Sequence, residues 1–443
     1  MCLFKKMMIN RGIYKQGNQN GAEMDLKQKT WTSCKERNKQ TYVLYAHGMF
    51  YAAFFLLVLG AFLNVFINDT IGPVDVYKVN KVCRLMAMML FLLKYIIFQE
   101  MDTIKLGITF FLIILAAATK LISGSSVFLI LVLFIIGGGG IKAKKLAGIS
   151  LAVRVPAVIT AAILSQIGII EDQIYTRGNV VRHSMGFIHP NCFAHYLFCI
   201  CLAVCVIRVE KKFKWELILI AGCAYLSLAV SDSRTSFLIL IIMAVIYLMF
   251  SFVRSHMGRK LLVWFTAAIS IVGCGLSLLL MVIYDASNSA MSALNSLFSS
   301  RFYLANLFYE TFGLTPLGYN YEGIYLVENH QGLYVDNAYE LIILQFGIIA
   351  LLVFFLIMII FLGAYGLAVP DGNAGKGYRD GLFGMCLYLI VGVSESMMID
   401  VEYNYFFVAV SNVFYEYQGH NAAKVKTPLK WALHYLLRGR REE

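Results

Sequence analysis

Ile348-Ile349-Ala350-Leu351-Leu352-Val353-Phe354-Phe355-Leu356-Ile357-Met358-Ile359-Ile360-Phe361-Leu362 holds no polar side chain from end to end. A helix needs about 20 apolar residues to cross a hydrocarbon core of about 30 Å. With its flanks this run extends over 338–368. Working outward, comparable stretches occur at 42–67, 84–99, 104–119, 125–140, 147–170, 190–208, 214–231, 235–253, 260–284, 381–398 and 401–417. Lipid offers no hydrogen bonds, so each stretch must satisfy its own backbone, which helices do and isolated strands do not. The expected fold is therefore an all-α, polytopic integral membrane protein with about 12 transmembrane helices. A basic cytoplasmic tail (1–41) precedes the transmembrane domain (42–417), and a second basic tail (418–443) follows it.

Composition agrees. Of 443 residues, 59% are hydrophobic and only 14% charged, where a soluble domain carries about 25%; mean hydropathy is +0.70. The net charge of +12 invites a nucleic-acid reading, but the basic residues lie in short runs between apolar stretches, the pattern of topology signals. With the N-terminus inside, Lys142, Lys144 and Lys145 face the cytoplasm. So do Arg208, Lys211, Lys212 and Lys214, then Arg254, Arg259 and Lys260, then Lys376 and Arg379, and the tail that ends Arg438-Gly439-Arg440-Arg441. The first forty residues are polar and basic, without the apolar segment and cleavage site of a signal peptide. The tail stretch Leu429–Leu437 alternates apolar and basic residues and suits the inner leaflet surface. The cysteines form no CxxC pair and read as small apolar residues. Gly137–Gly140 reads as a flexible helix end and not a phosphate loop, because no strand precedes it.

Three segments are left outside: 171–190, the turn Ser231–Ser236, and a long extracytoplasmic loop at 285–337. Their arginines run against the positive-inside trend: Arg177, Arg182, Arg234 and Arg301. Guanidinium stays charged at every working pH and matches phosphate with a bidentate fork, so the set suits a pyrophosphate at the membrane surface. Ordinary pairing with Glu171, Asp172 and Asp232 is the plainer alternative. Pro190 fits the first turn of a helix, with Asn191 and His195 on one face below His189. The spacing of His183, His189 and His195 is poor for zinc, and no metal or cofactor is expected. Asp336 and Asn337 stand where a span begins. A carboxylate there can take a proton from a sugar hydroxyl, or Asp336 can simply cap the helix. Glu395 borders an apolar stretch, where an ionisable group is a candidate for function or for pairing with an outer arginine.

The chain resembles the O-antigen polymerase and O-antigen ligase superfamily, nearest to the capsule and exopolysaccharide repeat-unit polymerases of Gram-positive bacteria. The resemblance rests on R-H-S-M-G-F-I-H-P-N-C-F-A-H-Y (182–196), S-D-S-R-T-S (231–236), L-N-S-L-F-S-S-R-F (294–302) with G-L-T-P-L-G (313–318), V-D-N-A-Y-E-L-I-I-L-Q-F-G-I-I (335–349), and the S-E-S turn with Asn404. It implies a multi-helix, GT-C-like glycosyltransferase architecture in a bacterial cytoplasmic membrane, acting on undecaprenyl-pyrophosphate-linked oligosaccharide without metal or nucleotide sugar. A flippase and a chain-length regulator are the implied partners, and no nucleic acid is. In the ligases a His-Asn pair falls where this chain has Asp336-Asn337, a departure that argues against a ligase.

The expected reaction follows. Arg182, Arg234 and Arg301, with Arg177, His189, Asn191 and Asn337, bind pyrophosphate and glycan. Asp336, or else His330 or Glu395, deprotonates the acceptor hydroxyl. Two rivals stay open: ligase-type transfer to another acceptor, and a transporter or flippase of lipid-linked oligosaccharide, which Lys94 and Arg154 inside apolar stretches would suit. Broken helices at mid-depth and repeated halves would also mark a transporter.

Overall fold

The computed structural model describes residues 20–66, 70–71, 74–99, 103–253, 256–298, 300–320, 335–367 and 379–415. His330 and the C-terminal tail, including 429–437, lie outside them. The chain divides into two units, Met1–Ala46 and His47–Glu443. Helix α1 (Asn20–Phe66) begins in the first and ends in the second. All that follows concerns the second.

Its helices are α2 (Val76–Phe98), α3 (Thr103–Ser123), α4 (Val127–Gly137), α5 (Ala143–Gln166), α6 (Pro190–Arg208), α7 (Glu216–Ala229), α8 (Arg234–Phe252), α9 (His256–Ile283), α10 (Ser289–Leu297) and α11 (Arg301–Phe312). Then come α12 (Ala338–Leu341), a π-helical turn (Ile342–Phe346), α13 (Gly347–Leu367), α14 (Arg379–Val391) and α15 (Phe407–Phe414). Among the described residues, seven helices are long and apolar enough to cross a bilayer, and three shorter apolar ones accompany them. The protein is thus a mostly helical polytopic membrane protein. Two small hairpins depart from the all-helical expectation, β1 (Thr70–Ile71) with β2 (Val74–Asp75), and β3 (Ile174–Arg177) with β4 (Val180–His183).

Aromatic side chains from α1, α2 and α4 make one core, where Phe50, Phe91 and Phe134 are fully buried with rings 4.8–5.5 Å apart. Gly137–Gly140 is packed and not a loose end. A Cβ on Gly138 would stand 2.3 Å from Ser411 Oγ, and one on Gly139 2.6 Å from the Tyr415 carbonyl. Lys94 binds the carbonyls left over at this helix end, donating to those of Gly137 and Gly139. That is the capping use of a cation at a helix C-terminus, and it removes Lys94 as a transporter signal.

The stretch expected as a span at 381–398 is helical only to Val391, and helix returns at Phe407. The backbone between is irregular, with a single 3-10 turn at Ser396–Met398. Glu402, Tyr403, Asn404 and Tyr405 are nonetheless buried. Polar side chains make this break. Asn404 donates to the Met398 carbonyl at 2.7 Å, and Arg84 of α2 pairs with Glu402 at 2.8 Å. Arg154, halfway along α5, donates to the Glu402 carbonyl at 2.7 Å.

The long loop is anchored through its own motif. A π turn leaves backbone donors without intrahelical partners. Here the Ile348 N–H bonds the Thr315 carbonyl (3.0 Å) and that of Ile349 bonds Pro316 (3.2 Å). Gly318 and Gly347 permit this contact, with φ +84 and +92. A Cβ on Gly347 would meet the Pro316 carbonyl at 2.3 Å.

Candidate functional site

The connection from α5 to α6 carries the first group of candidates. Asp172 pins it, accepting from the Met185 N–H (2.8 Å) and Ser184 Oγ (3.1 Å) and pairing with His183 Nδ1 (2.6 Å). Burial raises the Asp172 pKa, but the bonds from His183, Met185 and Ser184 outweigh it and leave the carboxyl below its usual value. The backbone then docks on two neighbours: His183 N–H to the Val230 carbonyl and Ile188 N–H to the Val65 carbonyl, both at 2.9 Å.

This docking brings Arg182 over the turn between α7 and α8. Its Nε donates to the Ser231 carbonyl at 2.7 Å and its Nη2 to Asn191 Oδ1 at 2.6 Å. Arg177 Nη1 reaches the carbonyl and carboxylate of Asp232 at 3.3 and 3.5 Å. Arg234 Nε lies 3.6 Å from the other oxygen of the same carboxylate. Asp232 sits at φ +41, a left-handed position that Asp tolerates better than most residues. Two guanidiniums therefore meet one carboxylate, with Arg182 bound to the same turn through the Ser231 carbonyl. Asp172 does not join them, because it is bound to the hairpin. Burial, then the charges of Arg177 and Arg234, push the Arg182 pKa down, with Asp232 opposing.

His189 is the N-cap of α6, its Nδ1 accepting from the Asn191 N–H at 3.1 Å. Its ring meets Tyr175 edge-on at 4.8 Å. Burial, then Arg182 and Arg177, lower its pKa to about 4, so it is uncharged at neutral pH, and with Nδ1 accepting from Asn191 its Nε2–H is left to donate. His195, expected on the face of Asn191, turns into the interior against Tyr403.

Arg301 builds a second group. It opens α11 just after Ser300, which holds φ +64. Its guanidinium donates to the Ser394 carbonyl, and it lies 3.1 Å from Asp336 and 3.3 Å from Glu395. One cation therefore serves two carboxylates, the reverse of the charge balance at Asp232. The expected alternative cap is overturned: Asn337, not Asp336, caps α12. Asn337 Oδ1 accepts from Tyr339 N–H (2.9 Å) and Glu340 N–H (3.3 Å). Its Nδ2 donates to Ser277 Oγ (2.7 Å) and the Val393 carbonyl (2.9 Å). An amide has no hydrogen-bonding capacity beyond these four, which leaves Asn337 nothing to offer a ligand. Asp336, released from capping, is 42% exposed in its side chain.

Glu340 is the member that sequence reasoning missed. It is buried one helical turn below Asp336, within electrostatic reach of Arg301 and Asp336. The available signal was a carboxyl in the first turn of an apolar span.

No protein-family model, curated protein or solved structure matches this chain.

Proposed function

We propose that this protein is a polysaccharide polymerase that joins undecaprenyl-pyrophosphate-linked oligosaccharide repeat units on the outer face of a bacterial cytoplasmic membrane. The observation that carries the reading is the paired, opposite charge balance. Arg177 and Arg234 share the single carboxylate of Asp232, with Arg182 held at the same turn by the Ser231 carbonyl, and in a second group Asp336 and Glu395 share the single guanidinium of Arg301. Crowded guanidiniums favour a bound polyanion, and an exposed carboxylate held by one arginine suits a hydroxyl that must lose its proton.

In this mechanism the donor's pyrophosphate lies against Arg177, Arg182 and Arg234, with neutral His189 and Asn191 at its edge. Asp336 takes the proton of the acceptor hydroxyl, and the oxygen attacks the anomeric carbon of the donor sugar. The new glycosidic bond forms as the bond to pyrophosphate breaks, and polyprenyl pyrophosphate leaves as a stable anion. Direct displacement inverts the anomeric configuration. The sequence expectation gave Arg301 to the pyrophosphate as well. Its two carboxylate partners instead support a role in orienting Asp336 and Glu395.

The same reading completes the topology. The seven crossing helices, with α2, α4, α7, α14 and α15, make up the twelve passes, and both termini lie in the cytoplasm. Lys142–Lys145 at the start of α5 and Arg208 at the end of α6 then stand at the end opposite Arg177 and Arg182, as the positive-inside rule requires. A flippase supplies the substrate and a chain-length regulator acts on the product.

The irregular segment 392–406, buried at 401–406, favours one rival, a transporter of lipid-linked oligosaccharide, because broken helices line transport paths. A chain-length assay in cells separates the two. Under the polymerase reading, Arg182→Ala, Arg234→Ala and Asp336→Asn leave single repeat units displayed on the outer leaflet. A transporter defect leaves them on the inner leaflet. Long polysaccharide in all three variants would refute the assignment of these residues.

A further inference from the structure

Arg154 is fully buried halfway along α5. Its guanidinium donates to Ser150 Oγ and to the Glu402 carbonyl, and it faces the rings of Tyr196 and Tyr403 at 5.4 and 5.2 Å. Among the described residues no carboxylate lies within ion-pair distance of it. The carboxylate of Glu402 turns to Arg84. Around this cation several buried polar atoms have no hydrogen-bond partner: Arg154 Nε itself, His195 Nε2, Asn404 Oδ1 and Tyr405 OH. All four side chains are more than nine-tenths buried. His195 packs edge-on against Tyr403 at 5.1 Å, and Tyr405 feels the charge of Arg154.

A polar atom buried without a partner is destabilising, and native proteins satisfy such atoms with ordered water. The guanidinium's own Nε and three further unpartnered atoms, at mid-span and beside irregular backbone, mark a built polar site. Its chemistry selects the occupant. Arg154 Nε can only donate, Asn404 Oδ1 can only accept, and His195 and Tyr405 can do either. An anion would be repelled by Asn404 Oδ1 and by the nearby carboxylates of Glu402 and Asp400. Water both donates and accepts.

We propose that Arg154, His195, Asn404 and Tyr405 line a hydrated site inside the membrane-embedded domain, holding ordered water that satisfies these buried side-chain atoms beside the irregular segment 399–405. Irregular backbone at membrane depth is tolerated where it is buried in protein or lines a water-filled space, and this site supplies both conditions. Water here supplies the partner that Asn404 Oδ1 lacks in the middle of an apolar stretch. The inference stands apart from the proposed reaction and holds whether or not the chain polymerises glycan.

X-ray radiolytic footprinting of the full chain in lipid nanodiscs tests it, because hydroxyl radicals born from bound water label the side chains beside that water. Tyr405 and His195 should be labelled several-fold faster than Tyr339, which is equally buried but bonds the Leu389 carbonyl at 2.7 Å. Equal, slow labelling of all three would mean a dry site and overturn the proposal. Melting temperature gives a second readout. Tyr405→Phe should melt lower, through loss of a water-bonded hydroxyl; a higher melting point would mean the hydroxyl had no partner at all. Stabilisation on exchanging gluconate for chloride, lost in His195→Phe, would place an anion there instead and overturn the water assignment.

Discussion

Arg182 and Arg234 meet the same turn in different ways, and their substitutions separate binding from folding. Arg182 is buried and holds Ser231 and Asn191, whereas the Arg234 side chain is 71% exposed. Arg234→Ala should leave membrane abundance unchanged while polymer synthesis falls about 10²-fold, the usual loss on removing one group that stabilises developing negative charge. Arg182→Lys keeps the charge but not the planar fork, and should lower activity by a similar factor with a small loss of stability. The adjacent pair Asp336 and Asn337 makes a sharper contrast. Asp336→Asn should abolish glycan joining at unchanged melting temperature. Asn337→Ala should lower stability by about 1–3 kcal/mol, because it removes a cap and leaves buried partners unsatisfied. Equal effects on stability would contradict the division of labour between them. The sequence shows that both residues stand at the start of a span, but not which one caps. That depends on Ser277 and Val393, far along the chain, which hold the Asn337 amide in place.

At the scale of elements, the hairpin β3–β4 depends on one carboxylate. The folded-state pKa of Asp172 lies below its unfolded value. Its contribution to stability is therefore present above about pH 4, the unfolded value for Asp, and is lost as pH falls through the folded value. Limited proteolysis should find the hairpin intact at neutral pH and open at strongly acid pH. Asp172→Asn should be open earlier, and identical profiles would contradict the pinning role. The π turn makes a second prediction. Gly347→Ala must place a Cβ against the Pro316 carbonyl at φ +92, so it should loosen the loop that carries Arg301 and destabilise the protein by several kcal/mol, within the range for strained, overpacked sites. Melting curves check this. The motif at 313–318 was visible in the sequence as a pattern, but its partner was not, because a π turn depends on backbone register and leaves no hydropathy signal. Likewise, hydropathy ran on through 381–398 although the helix stops at Val391. An average over a window dilutes the few polar residues that bind inward.

Across the whole molecule, the long apolar stretches were legible because lipid imposes length and composition together. Each of the seven crossing helices among the described residues overlaps a stretch expected from the sequence. Two features were not legible. Lys94 and Arg154 read as residues of a transport path, yet both bind backbone carbonyls of the protein itself. The grouping of four arginines into three and one also required the fold, since the partners of Arg301 come from elements far along the chain. The gathering of polar groups at the helix ends near Arg182 and Arg301, with a separate hydrated core around Arg154, gives the molecule two polar regions. The first is proposed to hold the reaction and the second to support the broken segment.

The central claim is glycosidic bond formation from a polyprenyl-pyrophosphate donor. Purified protein in nanodiscs, given polyprenyl-pyrophosphate oligosaccharide as its sole substrate, should produce a ladder of multimers. Free polyprenyl pyrophosphate should appear in equal number to the bonds formed, and both should vanish in Asp336→Asn. Substrate recovered unchanged by a well-folded protein, with Arg177, Arg182 and Arg234 intact, would contradict the account.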